Sequence, residues 1–328
     1  MPAAQDPQEL VTRAREGQQR AVAKLISLVE NASPQLREVA AALAPHAGHA
    51  QIVGLTGAPG VGKSTTTSAL VTELRGRDLR VGVLAVDPSS PFSGGALLGD
   101  RVRMGEHATD DGVFIRSMAT RGHLGGLAWA TPQALRVLDA AGCDVVLVET
   151  VGVGQSEVDV ARLADTTVVL LAPGMGDGVQ AAKAGILEIG DVFAVNKADR
   201  DGARQTVREL KNMLHLREGV AASDHATGTE PWTPRVLSMV AARTEGVDGL
   251  ADAVTEHRAW SEGSGALRER RRRRAQSEIE AISLEQVRSR MEGLRGGAAL
   301  PALADRVLAG ELDPYSAADE LRAGATDL

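Results

Sequence analysis

The chain has 328 residues, 43% of them hydrophobic, and a formal net charge of −7 at pH 7. That length holds one large α/β domain with helical additions, and the acidic balance argues against a basic nucleic-acid binder. A lone cysteine, Cys143, cannot form an intramolecular disulfide, and no apolar run approaches bilayer-spanning length. The polar, charged segment 1–20 lacks the apolar core of a secretory signal. A cytoplasmic protein with neither membrane nor nucleic acid as partner is the expectation. Aromatic residues make up only 2%, so Val, Leu, Ile and Ala must fill the core.

Residues 8–45 have a helical pattern, with Val11, Ala14, Val22, Leu25, Ile26 and Val29 at near-helical spacing. Ser33-Pro34 opens a second helix there, because proline is tolerated in a first turn. Apolar runs at 51–56, 80–86, 113–116, 144–149, 167–171, 191–195 and 235–239 alternate with helical or polar stretches. That alternation predicts an α/β fold whose mostly parallel sheet is covered by helices on both faces. Ligands in such sheets bind at the carboxyl ends of strands. Ser261 to Gly265 resembles a linker, after which a highly charged helix is expected over 266–295, with Ala275, Ile279, Ile282, Val287, Met291 and Leu294 as its apolar positions. Two short helices follow at 301–309 and 314–323, the second begun by Asp313-Pro314. This tail has an apolar stripe but little depth, which suits packing against another surface.

Four motifs stand at strand ends. Gly57-Ala58-Pro59-Gly60-Val61-Gly62-Lys63-Ser64 fits G-x-x-x-x-G-K-[ST] between a strand and the helix that Thr65 enters. Its backbone N–H groups and helix N-terminus face phosphate, Lys63 reaches the β- and γ-phosphates, and Ser64 ligates Mg²⁺. Asn196-Lys197-Ala198-Asp199 fits N-K-x-D, in which the aspartate accepts from guanine N1–H and the 2-amino group; adenine offers no such pair. Ser238-Met239-Val240 ends the next strand and suits a loop whose N–H meets guanine O6. The apolar run 145–148 ends in Glu149-Thr150-Val151-Gly152, an E-x-x-G form of the Mg²⁺-holding acid, with the Gly152 N–H toward the γ-phosphate. Asp87 and Asp100 bracket a Pro-, Ser- and Gly-rich loop and can approach one metal from either end. Taken alone, Asp100 fits a helix N-cap ahead of Arg101 to Glu106 better than a metal ligand.

The segments GAPGVGKST, DPSSPFSGGALLGDRVRM, RSMATRGHLGGL, ETVGVGQSE, LLAPGMGDGVQAAKAGILEI and NKAD together resemble the SIMIBI-class P-loop GTPases. Within that class the chain resembles the methylmalonyl-CoA mutase-associated GTPases, chaperones of cobalamin-dependent acyl-CoA mutases; an older label for relatives is LAO/AO transport system ATPase or kinase. The resemblance implies bound GTP or GDP, with Mg²⁺ among Ser64, Asp87, Asp100 and Glu149. It implies a third switch over residues 173–185, whose Lys183 pairs with the acidic Mg²⁺ cluster. It also implies a homodimer built through the C-terminal helices, with an acyl-CoA mutase and its adenosyltransferase as partners. The resulting division is an N-terminal helical extension (1–48), a GTPase domain (49–262) and a C-terminal dimerisation arm (263–328).

The expected activity is slow GTP hydrolysis, accelerated by the partner, that gates cofactor loading and protection of the mutase. Lys63, Asp87, Glu149, Gln155 and Lys183 form the expected catalytic set. Gln155 is the candidate for positioning water, with Glu157 and Asp87 as alternatives, and Arg103 or Arg121 is a candidate arginine finger unless the partner supplies one. No D-x-H-x-x-G pattern is present, so cobalamin is assigned to the partner. An ATP-dependent kinase or transport ATPase is the alternative, opposed by Asn196 to Asp199. A nickel-enzyme GTPase chaperone is another, opposed by the lack of Cys/His ligand spacing. The run Arg270 to Arg274 is expected to be a solvated or dimer-facing helix surface.

Overall fold

The computed structural model describes residues 6–87, 105–107, 109–119, 130–150, 156–174, 185–221, 231–295 and 299–326. The apolar runs form β1 (Gln51–Thr56), β2 (Val81–Asp87), β3 (Val113–Ala119), β4 (Val145–Thr150), β5 (Thr166–Leu171), β6 (Val192–Val195) and β7 (Arg235–Ser238). They pair in parallel in the order β3-β2-β4-β1-β5-β6-β7. From β1 the chain moves outward to β2 and β3, returns to lay down β4, then crosses β1 to build β5, β6 and β7. The direction therefore reverses beside β1, and the crevice beyond its carboxyl end is where such sheets bind ligands.

Strand side chains alternate between two buried faces, as a sheet covered on both sides requires. Leu84, Val86, Val146 and Val148 join one cluster, and Val81, Val83, Val145 and Leu147 join the other. The first face is covered by α1 (Pro7–Arg15), α2 (Gln19–Glu30), α3 (Leu36–Leu43) and α5 (Thr131–Ala140), the second by α4 (Lys63–Gly76) and α9 (Val247–Gly263). Between them in sequence lie α6 (Ser156–Leu163), α7 (Ile186–Ile189) and α8 (Ala203–Ala221). Leu210 and Leu214 of α8 pack with Val169, Phe193 and Val195 at the β5–β6 side.

The first helical stretch of the N-terminal region is two helices rather than one, because Gly17 adopts φ +84° and ends α1. The N-terminal helices are part of the main core: Leu25, Ile26 and Val29 share a cluster with Leu84, Met118 and Leu138. Arg116 of β3 donates to Glu30 and to Ser27 Oγ (3.2 Å), and Asp139 of α5 accepts the N–H groups of Gly48, His49 (3.1 Å) and Ala50 (2.9 Å) ahead of β1.

The linker expected at 261–265 is instead a helix end. Helix α9 continues to Gly263, Gly265 takes φ +78°, and α10 (Ala266–Arg295) begins at the next residue. The chain divides into two compact units, residues 1–270 and 271–328. In the second, α11 (Ala299–Leu308) and α12 (Pro314–Thr326) are joined by Arg306 Nη1 and Glu320 Oε2 at 2.6 Å. Asp313 caps α12, accepting from Tyr315 N (2.8 Å) and Ser316 N (3.1 Å). Ile279, Leu284, Leu308 and Tyr315 are exposed.

Arg270 departs from the solvated surface expected for the arginine run. Its guanidinium donates to Asp191 Oδ2 (2.7 Å), Asp191 Oδ1 (2.9 Å) and the Asp165 carbonyl (2.9 Å). His257, fully buried, stands 3.3 Å from the same carboxylate. Thr166 Oγ1 accepts from Gln51 Nε2 (3.1 Å) and shares a hydrogen bond with His257 Nδ1 (2.8 Å), so the other ring nitrogen, Nε2, faces Asp191. This cluster sits at the amino ends of β5 and β6, the edge opposite the sequence motifs.

Candidate functional site

The carboxyl edge of the sheet gathers the motifs. Leaving β1, Gly57 takes φ +144°, and a Cβ there would run into the Leu170 carbonyl of β5. Gly62 takes φ +95° at the N-cap of α4, and a Cβ there would lie 2.5 Å from Asn196 Nδ2. Only glycine meets both demands. Ala58 is half-buried, Pro59 and Gly60 are exposed at the loop's tip, and Val61 is buried beneath it. Lys63 is buried and folds back over its own loop, its Nζ donating to the carbonyls of Gly57 (2.7 Å) and Ala58 (3.2 Å). A cation thus stands over the cradle at the helix N-terminus, where both attract an anion.

Glu149, 2% exposed, ends the apolar part of β4 beside Leu55 of β1 and Ala85 of β2. Ser64 Oγ donates to its Oε1 at 2.6 Å. Thr67 shares one hydroxyl proton between Glu149 Oε2 (2.8 Å) and the Lys63 carbonyl (3.1 Å). Ser64 and Glu149 are hard oxygen donors meeting at one point, the donor chemistry a small divalent cation selects. Thr67 was not singled out from sequence; its one signal is its place three residues after Ser64, on the same helix face. Thr65 is exposed in the first turn of α4.

Asn196 ties the remaining motifs to the phosphate loop. Its Nδ2 donates to the Val61 carbonyl (2.8 Å), while its Oδ1 accepts from Lys197 N (2.8 Å) and Ala241 N (3.0 Å). Lys197 takes φ +56° and its Nζ donates to the Gly60 carbonyl (2.6 Å). Asp199 Oδ2 lies 3.3 Å from Arg243 Nη2. Ser238 is the last residue of β7, paired with Val195. The N–H of Met239 donates to Val195 O and that of Val240 to Glu245 O, both at 2.9 Å. The Ala242 N–H, one turn further, has no hydrogen-bond acceptor among the described residues.

Asp87 ends β2 at this same edge, though only its backbone is described, as is that of Glu157. Asp100, Gly152, Gln155 and Lys183 lie outside the described residues, as do Arg103 and Arg121.

The chain matches the family model of the methylmalonyl-CoA mutase-associated GTPase MeaB over residues 22–295. It is 50% identical over 311 residues to a putative GTPase of Pyrococcus abyssi, covering 95% of this chain and 94% of the relative. GTPase ArgK of Escherichia coli is 36% identical over 271 residues, 81% of this chain and 80% of its own. The mitochondrial methylmalonic aciduria type A homolog of Mus musculus is 35% identical over 332 residues, 95% of this chain and 78% of its own. The crystal structure of a LAO/AO transport system kinase superposes with a TM-score of 0.66 at 27% identity, covering 97% of each chain. A glycine cradle closed by a buried lysine, a reader asparagine bonded into that cradle, and these likenesses agree: the chain belongs to the methylmalonyl-CoA mutase-associated GTPase family, SIMIBI-class P-loop GTPases of the MeaB type.

Proposed function

We propose that this GTPase binds GTP with Mg²⁺, hydrolyses it slowly alone, and does so faster in complex with a cobalamin-dependent acyl-CoA mutase whose cofactor loading and protection it gates. The observation that carries the guanine part is Asn196: one buried side chain bonds the phosphate loop at Val61 and the base loop at Ala241. Phosphate binding and base reading are thereby built on one rigid junction.

Lys63 leaves the Gly57 and Ala58 carbonyls for the β- and γ-phosphates, while the N-terminus of α4 supplies backbone donors. Asp199 accepts from guanine N1–H and the 2-amino group. The Ala242 N–H faces O6, with Ser238, Met239 and Val240 as the frame of that loop; the engaged N–H groups of Met239 and Val240 support this assignment. Ser64 and Glu149, with Asp87 and Asp100, would hold Mg²⁺, and Thr67 keeps the Glu149 carboxylate turned toward Ser64. The ion, when bound, neutralises charge developing on the phosphate oxygens. Gln155 positions water, and Lys183 links residues 173–185 to the acidic cluster.

The mutase is proposed as client because the matching family is named for association with it. The exposed apolar residues of 271–328 support a homodimer through this arm. The test is single-turnover GTP hydrolysis with and without purified acyl-CoA mutases, in the unmutated protein and Lys183→Ala. Stimulation of the unmutated protein, diminished in the variant, is expected. An absence of both complex and stimulation with every such mutase removes the client assignment.

A further inference from the structure

The base-reading end of the site holds a cation that the nucleotide motifs do not account for. Arg243 ends the short turn Ala241–Arg243 after β7. Its Nη2 stands 3.3 Å from Asp199 Oδ2 and its Nε 3.2 Å from Glu245 Oε1. The turn that carries it is closed by Val240 N to Glu245 O (2.9 Å), Arg243 N to Val240 O (2.9 Å) and Thr244 N to Ala241 O (3.1 Å). Its foot is bonded to Asn196, the residue that also fixes the reader loop. The guanidinium is therefore held between two carboxylates on a backbone that cannot drift away from Asp199.

An isolated aspartate at this position would turn freely. Asp199 is 44% exposed, and the terminal torsion of a carboxylate is broad. Reading guanine takes one lone pair from each carboxylate oxygen, and an ionised carboxylate carries about four acceptor sites. Oδ2 thus keeps a lone pair for Arg243 while both oxygens face the base. The pair seen here is compatible with a bound base and stops the rotation that would break one of the two bonds.

We propose that Arg243 is a positioning residue for guanine recognition, holding the Asp199 carboxylate in the plane of the base edge. The proposal rests on the guanine reading above and deepens it. Its consequence is specific. Hypoxanthine has the N1–H but no 2-amino group, so it makes one bond to Asp199 and tolerates a rotated carboxylate. Guanine makes two and does not. Arg243 therefore contributes to the difference between GDP and IDP rather than to the affinity they share. A guanidinium stacked on the base face would instead help both nucleotides equally.

Calorimetric titration of the full chain with GDP, IDP and ADP separates these cases. In the unmutated protein GDP binds more tightly than IDP and far more tightly than ADP. Arg243→Ala lowers the GDP-over-IDP preference by about threefold, the scale of an oriented but exposed ion pair, and leaves the IDP dissociation constant unchanged. Arg243→Lys recovers part of the preference, since the charge remains but the fork that spans both carboxylates does not. Raising the salt concentration narrows the gap between the unmutated protein and Arg243→Ala. Equal weakening of GDP and IDP overturns the proposal in favour of stacking or loop support, and an unchanged ratio overturns it outright. If the unmutated protein binds ADP as tightly as GDP, the guanine reading itself falls, whatever Arg243 does.

Discussion

Replacing Asn196 by alanine tests the central geometry of this site. The side chain is 3% exposed and makes hydrogen bonds to Val61 O (2.8 Å), Lys197 N (2.8 Å) and Ala241 N (3.0 Å). A neutral hydrogen bond contributes about 1 kcal/mol net, so truncation removes about 3 kcal/mol, offset in part by water entering the vacated space. That energy now preorganises the phosphate loop against the base loop. Lost, it must be regained when nucleotide orders both, which raises the GDP dissociation constant by up to about 100-fold. Whatever share is not felt in binding appears as a lowered melting temperature. Asn196→Asp is the sharper companion: it keeps the acceptor for Lys197 and Ala241 but sets a carboxylate against the Val61 carbonyl, so it should bind no better than the alanine variant. The assay is displacement of a fluorescent GDP, with melting followed in parallel. GDP binding by Asn196→Ala within about threefold of the unmutated protein, with unchanged melting, would refute the junction.

Gly62→Ala places a Cβ 2.5 Å from Asn196 Nδ2 at φ +95°; strain of about 1–2 kcal/mol plus the displaced amide should weaken GDP binding by at least about tenfold. Unaltered binding would show that the loop does not need this conformation. Glu149→Gln keeps the shape beside Ser64 and Thr67 but removes the charge. It should abolish most of the Mg²⁺ enhancement of GTP binding and leave Mg²⁺-free GDP binding intact, read by titrations with and without a chelator; an undiminished enhancement would sink the metal assignment.

The sheet was legible because its strands are short Val- and Leu-rich runs, and the motifs mark their carboxyl ends whatever lies between. Local punctuation was less legible. Gly17 sat within a helical pattern and turned out to end a helix. The Ser-Gly cluster at 261–265 had the composition of a linker, yet only Gly265 breaks the helix, by its left-handed backbone. Contacts between distant segments left no local trace. Asn196 and Val61 are 135 positions apart, and nothing near either states that they meet. Thr67 is one of several threonines, selected only by Glu149 folding over it. Arg270 was hidden by its own company: a run of arginines points to solvent, and its partner Asp191 lies 79 residues away.

That buried pair supports a prediction about acid stability. Burial alone would raise the Asp191 pKa, but hydrogen bonds from Arg270 and His257, with their charges, outweigh it and hold the carboxyl at about 2, below its ordinary 3.8. A folded-state pKa below the unfolded one means the native state favours the ionised form. The stabilisation is complete above about pH 4 and is lost as pH falls through about 2. The gap corresponds to about 2 kcal/mol. Asp191→Asn should therefore be less stable than the unmutated chain at neutral pH, and the difference should shrink between pH 4 and pH 2, read by urea unfolding at each pH. Arg270→Ala leaves the carboxylate with His257 and the Thr167 N–H (2.8 Å). Breaking a fully buried pair costs about 3–5 kcal/mol, but Arg270 is 35% exposed and water screens the loss, so about 2 kcal/mol is expected. Because the pair sits at the amino ends of β5 and β6, GDP affinity should not change. A destabilisation gap between Asp191→Asn and the unmutated chain that stays constant from pH 7 to pH 2 would show that the carboxylate's charge contributes nothing there, and a loss of GDP affinity in Arg270→Ala would show that the two ends of these strands are coupled.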